Sequence, residues 1–135
     1  MPYEARIVSE AIDVPPDVVY EFARTMKNLP RWASGLAAGV SQEGGEWFTD
    51  SPMGQIKVSM APRNDFRVLD HDVTLPDGRT VHNAFRVTSA GEGSLVAFVV
   101  LRLPGTTPEA FATDVAHVAK DLRALKTLLE AASDL

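Results

Sequence analysis

Cysteine is absent from this chain. Disulfide staples and thiolate metal sites are therefore excluded, and the redox compartment is left open. No apolar run comes near the ~20 residues that a membrane-spanning helix needs, so membrane insertion is not expected. Basic clusters are missing as well. The 13 Lys and Arg are scattered among 18 Asp and Glu, for a net charge of −5. Phosphate recognition needs a basic patch, so nucleic acid is not an expected partner. No two histidines share a helix or strand face in the manner of a zinc site. Gly44-Gly45 and Gly91-Glu92-Gly93 lack the phosphate-loop pattern and read as turns. Neither a metal nor a cofactor is expected. Ser34 and Ser59 have no acid–histidine arrangement to activate them, which removes support for nucleophilic catalysis. The opening Met1 to Glu10 is charged and alternating, unlike a secretory leader, and the expected location is cytoplasmic.

What is present is a strong pattern of elements. The length suits one domain over residues 1–135, with a core that needs no staples. Thr107 to Ala132 reads as one long amphipathic helix. Phe111, Val115, Val118, Leu122, Leu125 and Leu129 recur at spacings of four and three, which places them on one face. Asp114, Lys120, Asp121, Arg123 and Lys126 are assigned to the opposite side. Thr107 can cap the helix, and Pro108 suits its first position. A coiled coil would also fit the spacing, but the stripe covers barely three heptads.

Upstream, Tyr3 to Val14 alternates as a strand, with Val8, Glu10, Ile12 and Val14 on the more apolar parity. Pro15-Pro16 ends it. Asp17 to Met26 reads as a short helix burying Val18, Val19, Phe22 and Met26, and Arg31 to Leu36 as a second short helix. From Ala38 the period changes to two. Strands are predicted over Val40 to Gln42, Glu46 to Thr49, Gln55 to Ala61, Phe66 to Leu75, Thr80 to Ser89 and Ser94 to Leu103. Pro76-Asp77-Gly78-Arg79 marks one hairpin turn and Ala90-Gly91-Glu92-Gly93 another. Hairpin-linked strands with segregated helices imply an α+β fold.

A family resemblance rests on three stretches. Ile12-Asp13-Val14-Pro15-Pro16-Asp17-Val18-Val19-Tyr20-Glu21-Phe22 resembles the opening of the START-like (SRPBCC) superfamily. Leu29-Pro30-Arg31-Trp32 resembles its next landmark, and Pro104-Gly105 through Glu130 resembles the closing helix of its polyketide cyclase-like members. The resemblance implies a helix-grip fold. In it a curved seven-stranded antiparallel sheet wraps around the long C-terminal helix, two short helices follow the first strand, and an apolar cavity lies between sheet and helix. Catalytic residues are not shared across the superfamily, so none is carried over.

Candidate site residues follow from parity and position. Trp32 can line the cavity mouth or simply wedge the short helices against the sheet. His71 shares parity with Leu69, Val73 and Leu75. An inward imidazole with a pKa near ~6.5 can serve as acid or base, or hydrogen-bond a ligand, though a structural histidine is the plainer reading. Glu10 lies on the apolar parity of its strand and is the other catalytic candidate, against the plainer reading of a carboxylate at a sheet edge. Asn83 can orient a ligand or satisfy backbone. Arg31 can meet an anionic ligand group or remain solvated. Met53, Met60, Phe85 and the helix residues Val118 and Leu122 complete the expected lining. His117 with Asp114 and Asp121 reads as a solvated helix face rather than a metal site.

The function these residues point to is binding of a small, mostly apolar ligand, lipid-, polyketide- or aromatic-like, in an internal cavity. A cyclase or dehydratase acting in the same cavity through His71 or Glu10 is the alternative. A protein-interaction module is the third reading. The strand Ser94 to Leu103 is apolar on both faces, and its outer face suits a homodimer.

Overall fold

The computed structural model describes residues 1–34, 39–51 and 54–133. Strand β1 (Ala5–Ile12) leads to helix α1 (Pro16–Arg24), a single 3-10 turn (Met26–Asn28) and the one-turn helix α2 (Leu29–Trp32). Strands β2 (Val40–Glu43), β3 (Glu46–Ser51), β4 (Gly54–Met60), β5 (His71–Thr74), β6 (Thr80–Asn83), β7 (Phe85–Ala90) and β8 (Gly93–Leu101) follow, and helix α3 (Pro108–Ser133) closes the order. The fold is α+β, as the alternation of periods predicts. No helix among the described residues is long and apolar enough to cross a membrane.

The single seven-stranded sheet is corrected. The strands form a three-stranded sheet ordered β1-β8-β7 and a five-stranded sheet ordered β2-β3-β4-β5-β6, all antiparallel. The eighth strand arises because the predicted strand Thr80 to Ser89 breaks at Ala84. There the Ala84 carbonyl accepts from Val99 N–H at 3.0 Å, while Phe85 N–H turns to the Asp70 carboxylate at 2.9 Å. A side chain thus takes the place of a ladder partner, and the chain passes from pairing with β5 to pairing with β8. The predicted Phe66 to Leu75 strand is likewise shortened to β5. Upstream of it, Asn64 organises a turn by accepting from Phe66 and Val68 N–H, and Arg67 adopts φ 57°. One bridge, Val68 to Arg86, still links this turn to β7.

The helical region is also adjusted. A 3-10 turn intervenes between α1 and α2, and α1 buries Val19, Tyr20 and Ala23 while Val18 faces out. The Tyr20 hydroxyl accepts from Asn64 N–H at 2.9 Å, which lets the ring sit inside. Leu36 lies outside the described residues.

The long helix matches its predicted face. Phe111, Leu122, Leu125 and Leu129 are buried, and Val115 and Val118 partly so. Thr107 caps it by accepting from Ala110 N–H at 3.1 Å. The helix lies against β1 and β8, and one core joins it to both sheets through Ile12, Ile56, Leu69, Phe85 and Val96. Its far end is clasped to the end of β1. Lys126 donates to the Ala11 carbonyl at 2.6 Å and to Glu130 at 2.7 Å, and Asp13 N–H donates to Glu130 at 2.8 Å.

Candidate ligand-binding site

Alternation in β4 turns Ile56, Val58 and Met60 to the same side, and β5 adds His71 and Val73. Helix α2 supplies Leu29 and Trp32, α3 supplies Val118 and Leu122, and Phe85 and Phe98 close the floor. These walls line a partly open cavity of about 170 Å³ between the sheets and α3. Four rings line it in sequence. Trp32 and Phe85 centroids are 6.0 Å apart, Phe85 and Phe98 5.4 Å, and Phe98 and His71 5.8 Å. A larger cleft of about 320 Å³ lies outside, edged by Arg24, Glu46, Lys57 and Arg63. Its rim is charged, with Glu46 and Lys57 paired there at 3.4 Å, so it lacks the mostly apolar walls of a small-molecule site.

Three polar groups interrupt the apolar wall. Trp32 is buried, at 8% exposure, and its indole Nε1–H has no partner among the described residues. His71 places Nδ1 3.0 Å from the Leu69 carbonyl. A carbonyl only accepts, so Nδ1 carries the proton and Nε2 presents a lone pair. Asn83 Nδ2 approaches that lone pair at 3.4 Å, a long contact. Burial pushes the His71 imidazole below its ordinary pKa, and the Leu69 bond and the Asp70 carboxylate only partly offset this. The third group is Asp121 on α3. One of its oxygens accepts both the N–H and the hydroxyl of Ser34, at 3.0 and 2.8 Å, which ties the segment after α2 to α3 across the cavity edge.

Behind His71, on the outer side of β5 and β6, sits a charged cluster. Burial pushes the Asp70 carboxyl up, but the Arg86 guanidinium at 3.1 Å and the Phe85 N–H outweigh it and hold the group below the usual carboxylate range. His82 donates to Asp72 at 2.7 Å, and that bond first, with Asp70 nearby, raises the imidazole above its ordinary value.

The structure sorts the sequence candidates. Trp32, Met60, His71, Phe85, Val118 and Leu122 line the cavity together. Asn83 does not line it; it stands across the ladder from His71 and faces a neighbouring pocket. Arg31 is exposed and lies over the Phe22 ring, 5.2 Å from its centroid, away from the cavity. Glu10 does share the inward parity of Val8 and Ile12, but it lies near Lys126 and outside the lining, so it is not brought to His71. Met53 lies outside the described residues. Asp121 is the residue that sequence reasoning missed. Asp114 and His117 are exposed as expected, but Asp121, on the same helix face as Asp114, is half-buried where Ser34 packs on it. Helical spacing does not separate the two aspartates; the bonds from Ser34 do.

Among the described residues no cluster of His, Asp and Glu has metal-holding geometry. No curated protein matches the sequence. A family model does, over residues 5–130: polyketide cyclase / dehydrase and lipid transport. The chain belongs to this family. That membership puts it within the START-like (SRPBCC) superfamily, and solved structures of similar fold agree. XoxI from Bacillus cereus superposes with a TM-score of 0.70 at 17% identity, covering 96% of each chain. The Aha1 dimer from Colwellia psychrerythraea gives 0.73 at 16%, covering 94% of this chain and 96% of that one. DynU16, from the dynemicin biosynthetic locus, gives 0.72 at 16% and covers 96% of this chain. This polyketide cyclase / dehydrase and lipid transport family member spans only 48% of DynU16. At such identities the likeness concerns the fold.

Proposed function

We propose that the protein binds a small, mostly apolar molecule in the cavity between its sheets and α3. The observation that carries this is the apolar pocket itself, walled by Trp32, Met60, Phe85, Val118 and Leu122. Close-packed interiors leave few voids larger than a water, and apolar cavities of about 150 Å³ accept benzene. At about 170 Å³ this one takes a ring-sized molecule as it stands. A sterol or long acyl chain needs the ~300–1,000 Å³ of larger ligand pockets and hence a rearrangement of the walls.

The test uses the two tryptophans. Trp32 lines the cavity, whereas Trp47 lines the outer cleft. Binding of small aromatic molecules should change emission chiefly through Trp32, so a Trp47→Phe variant keeps most of the signal and a Trp32→Phe variant loses it. Silence of Trp32 across a panel of aromatic and aliphatic ring compounds at saturating concentration would remove the cavity reading.

His71 favours a second reading, a cyclase or dehydratase of the same cavity. Its burial keeps the imidazole neutral near pH 7, with the Nε2 lone pair available as a base toward a bound substrate. Turnover of a polyketone lost in His71→Gln, with binding retained, is the expected result if this reading holds. We also infer that the outer face of β1 and β8 pairs with a second copy. Ile7 is 71% exposed there, opposite Val99, and the exposed Leu95 and Leu101 share that face, opposite Ala11 and Ala5.

A further inference from the structure

We infer that Phe98 and Val118 limit the length of the ligand, because they stop the cavity short of a second pocket beneath the same helix. The inference rests on the cavity reading above and deepens it. The second pocket has a volume of about 200 Å³ and is lined in part by Val81, Asn83, Leu103 and Asp114. Among the described residues, only Phe98 and Val118 line both it and the cavity. Three elements give the same order. Along α3, Leu122 lines the cavity, Val118 lines both spaces, and Asp114, one turn earlier, lines the second pocket. Along β8, Phe98 is shared and Val100 belongs to the second pocket alone. Across the β5–β6 ladder, His71 and Val73 line the cavity, while their partners Asn83 and Val81 line the second pocket. The two spaces therefore follow one another end to end, with one strand residue and one helix residue at the border.

The border is firm. The Phe98 ring packs on Phe85 and His71, at centroid distances of 5.4 and 5.8 Å. Val118 is β-branched on a helix, where one rotamer dominates. Neither side chain therefore swings aside without cost. Volume turns this border into a ligand class. A cavity of about 150 Å³ takes benzene, so one of about 170 Å³ takes a single ring with a short substituent. With the second pocket joined on, the space would reach the ~300–1,000 Å³ of larger ligand sites. The two side chains thus separate a compact, single-ring ligand, which the protein accepts, from an elongated or fused-ring one, which it refuses.

The test varies length alone. Phenylalkanols from benzyl alcohol to 6-phenylhexanol carry one ring and a neutral polar end on a chain of one to six carbons. Their dissociation constants are measured by titration calorimetry with wild type, Val118→Ala, Phe98→Ala and Ile56→Val. Phe98 and Val118 are only partly buried, so trimming them endangers the fold less than trimming Phe85 or Leu122, and circular dichroism checks each variant. Ile56 lines the cavity and not the second pocket, so its variant enlarges the cavity away from the border. A methylene that leaves water tightens binding about fourfold. In wild type this gain should stop after about two chain carbons, when the cavity is full. In Val118→Ala, in Phe98→Ala or in both it should continue for at least about two carbons more, a further gain of about tenfold or greater. Ile56→Val should keep the wild-type break. A break at the same carbon in both border variants overturns the inference. So does a gain that runs to six carbons in wild type, or a break that moves as far in Ile56→Val. In each of those cases benzyl alcohol still binds and the cavity reading stands. If no alcohol binds any of the four proteins, the cavity reading falls and the length limit falls with it.

Discussion

His71 and His82 stand on paired strands, yet their surroundings push them in opposite directions. Burial lowers the His71 pKa, so the folded protein resists a proton that the unfolded chain accepts near pH ~6.5. Stability from this residue is intact above that value and is lost as the pH falls below it. The Asp72 bond raises the His82 pKa, so its contribution is fully present below pH ~6.5 and is lost as the pH rises through the folded value. Urea midpoints measured from pH 5 to 8 should therefore flatten at the acid end in His71→Gln and at the alkaline end in His82→Gln. Added salt should weaken only the His82 effect, because its side chain is 62% exposed. Identical profiles for both variants and wild type would contradict the two environments. The inward parity of His71 was legible in its neighbours Leu69 and Val73. Its tautomer was not, since that depends on a backbone carbonyl two residues back and on the Asn83 side chain across the ladder. Arg31 is exposed, in keeping with the solvated alternative, and its contact with Phe22 was not legible because that ring lies on another helix.

Among the elements, α3 was the most legible, because one stripe of apolar residues is enough to define a face. Leu122→Ala should cost about 2–5 kcal/mol, as core truncations do, while exposed Asp114→Ala should be nearly silent. Thr107→Ala should cost about 0.5–2 kcal/mol through the lost cap. Thermal or chemical unfolding of the three variants measures this order, and equal losses at positions 122 and 114 would show the face to be wrong. The break at Ala84 could not be read locally. Val81, Asn83, Phe85 and Val87 alternate without interruption, and the interruption comes from Asp70, which reaches the Phe85 N–H from just ahead of β5. The Asp121–Ser34 tie escaped for the same reason, being a bond between residues 87 apart in sequence.

At the scale of the whole molecule, element order and turn positions sufficed for the α+β class and for the family, since both depend on succession rather than on pairing partners. The number of sheets depended on partners, and so did the cavity volume. The outer face of β1 and β8 makes a testable statement at this scale. Ile7 pairs opposite Val99, and Leu101 stands opposite Ala5, so one apolar patch crosses both strands. Sedimentation should show a concentration-dependent dimer that Ile7→Lys dissociates without changing the circular dichroism. A monomer at all concentrations would remove the second copy from consideration.

The pairing of β1 with β8 also bears on how the chain is made. Each β1 residue finds its ladder partner between 82 residues (Ile12 to Ser94) and 96 residues (Ala5 to Leu101) later. At ribosomal rates of about 5–20 residues per second, β1 waits roughly 5–20 s before that partner is synthesised, and α3 comes later still. Through that interval the nascent chain carries an unpaired strand edge bearing Ile7 and Val8, the kind of segment that seeks the wrong neighbour. Folding of this domain is therefore deferred until β8 and α3 have both been made, so the native topology first appears only after the last of these elements has left the ribosome.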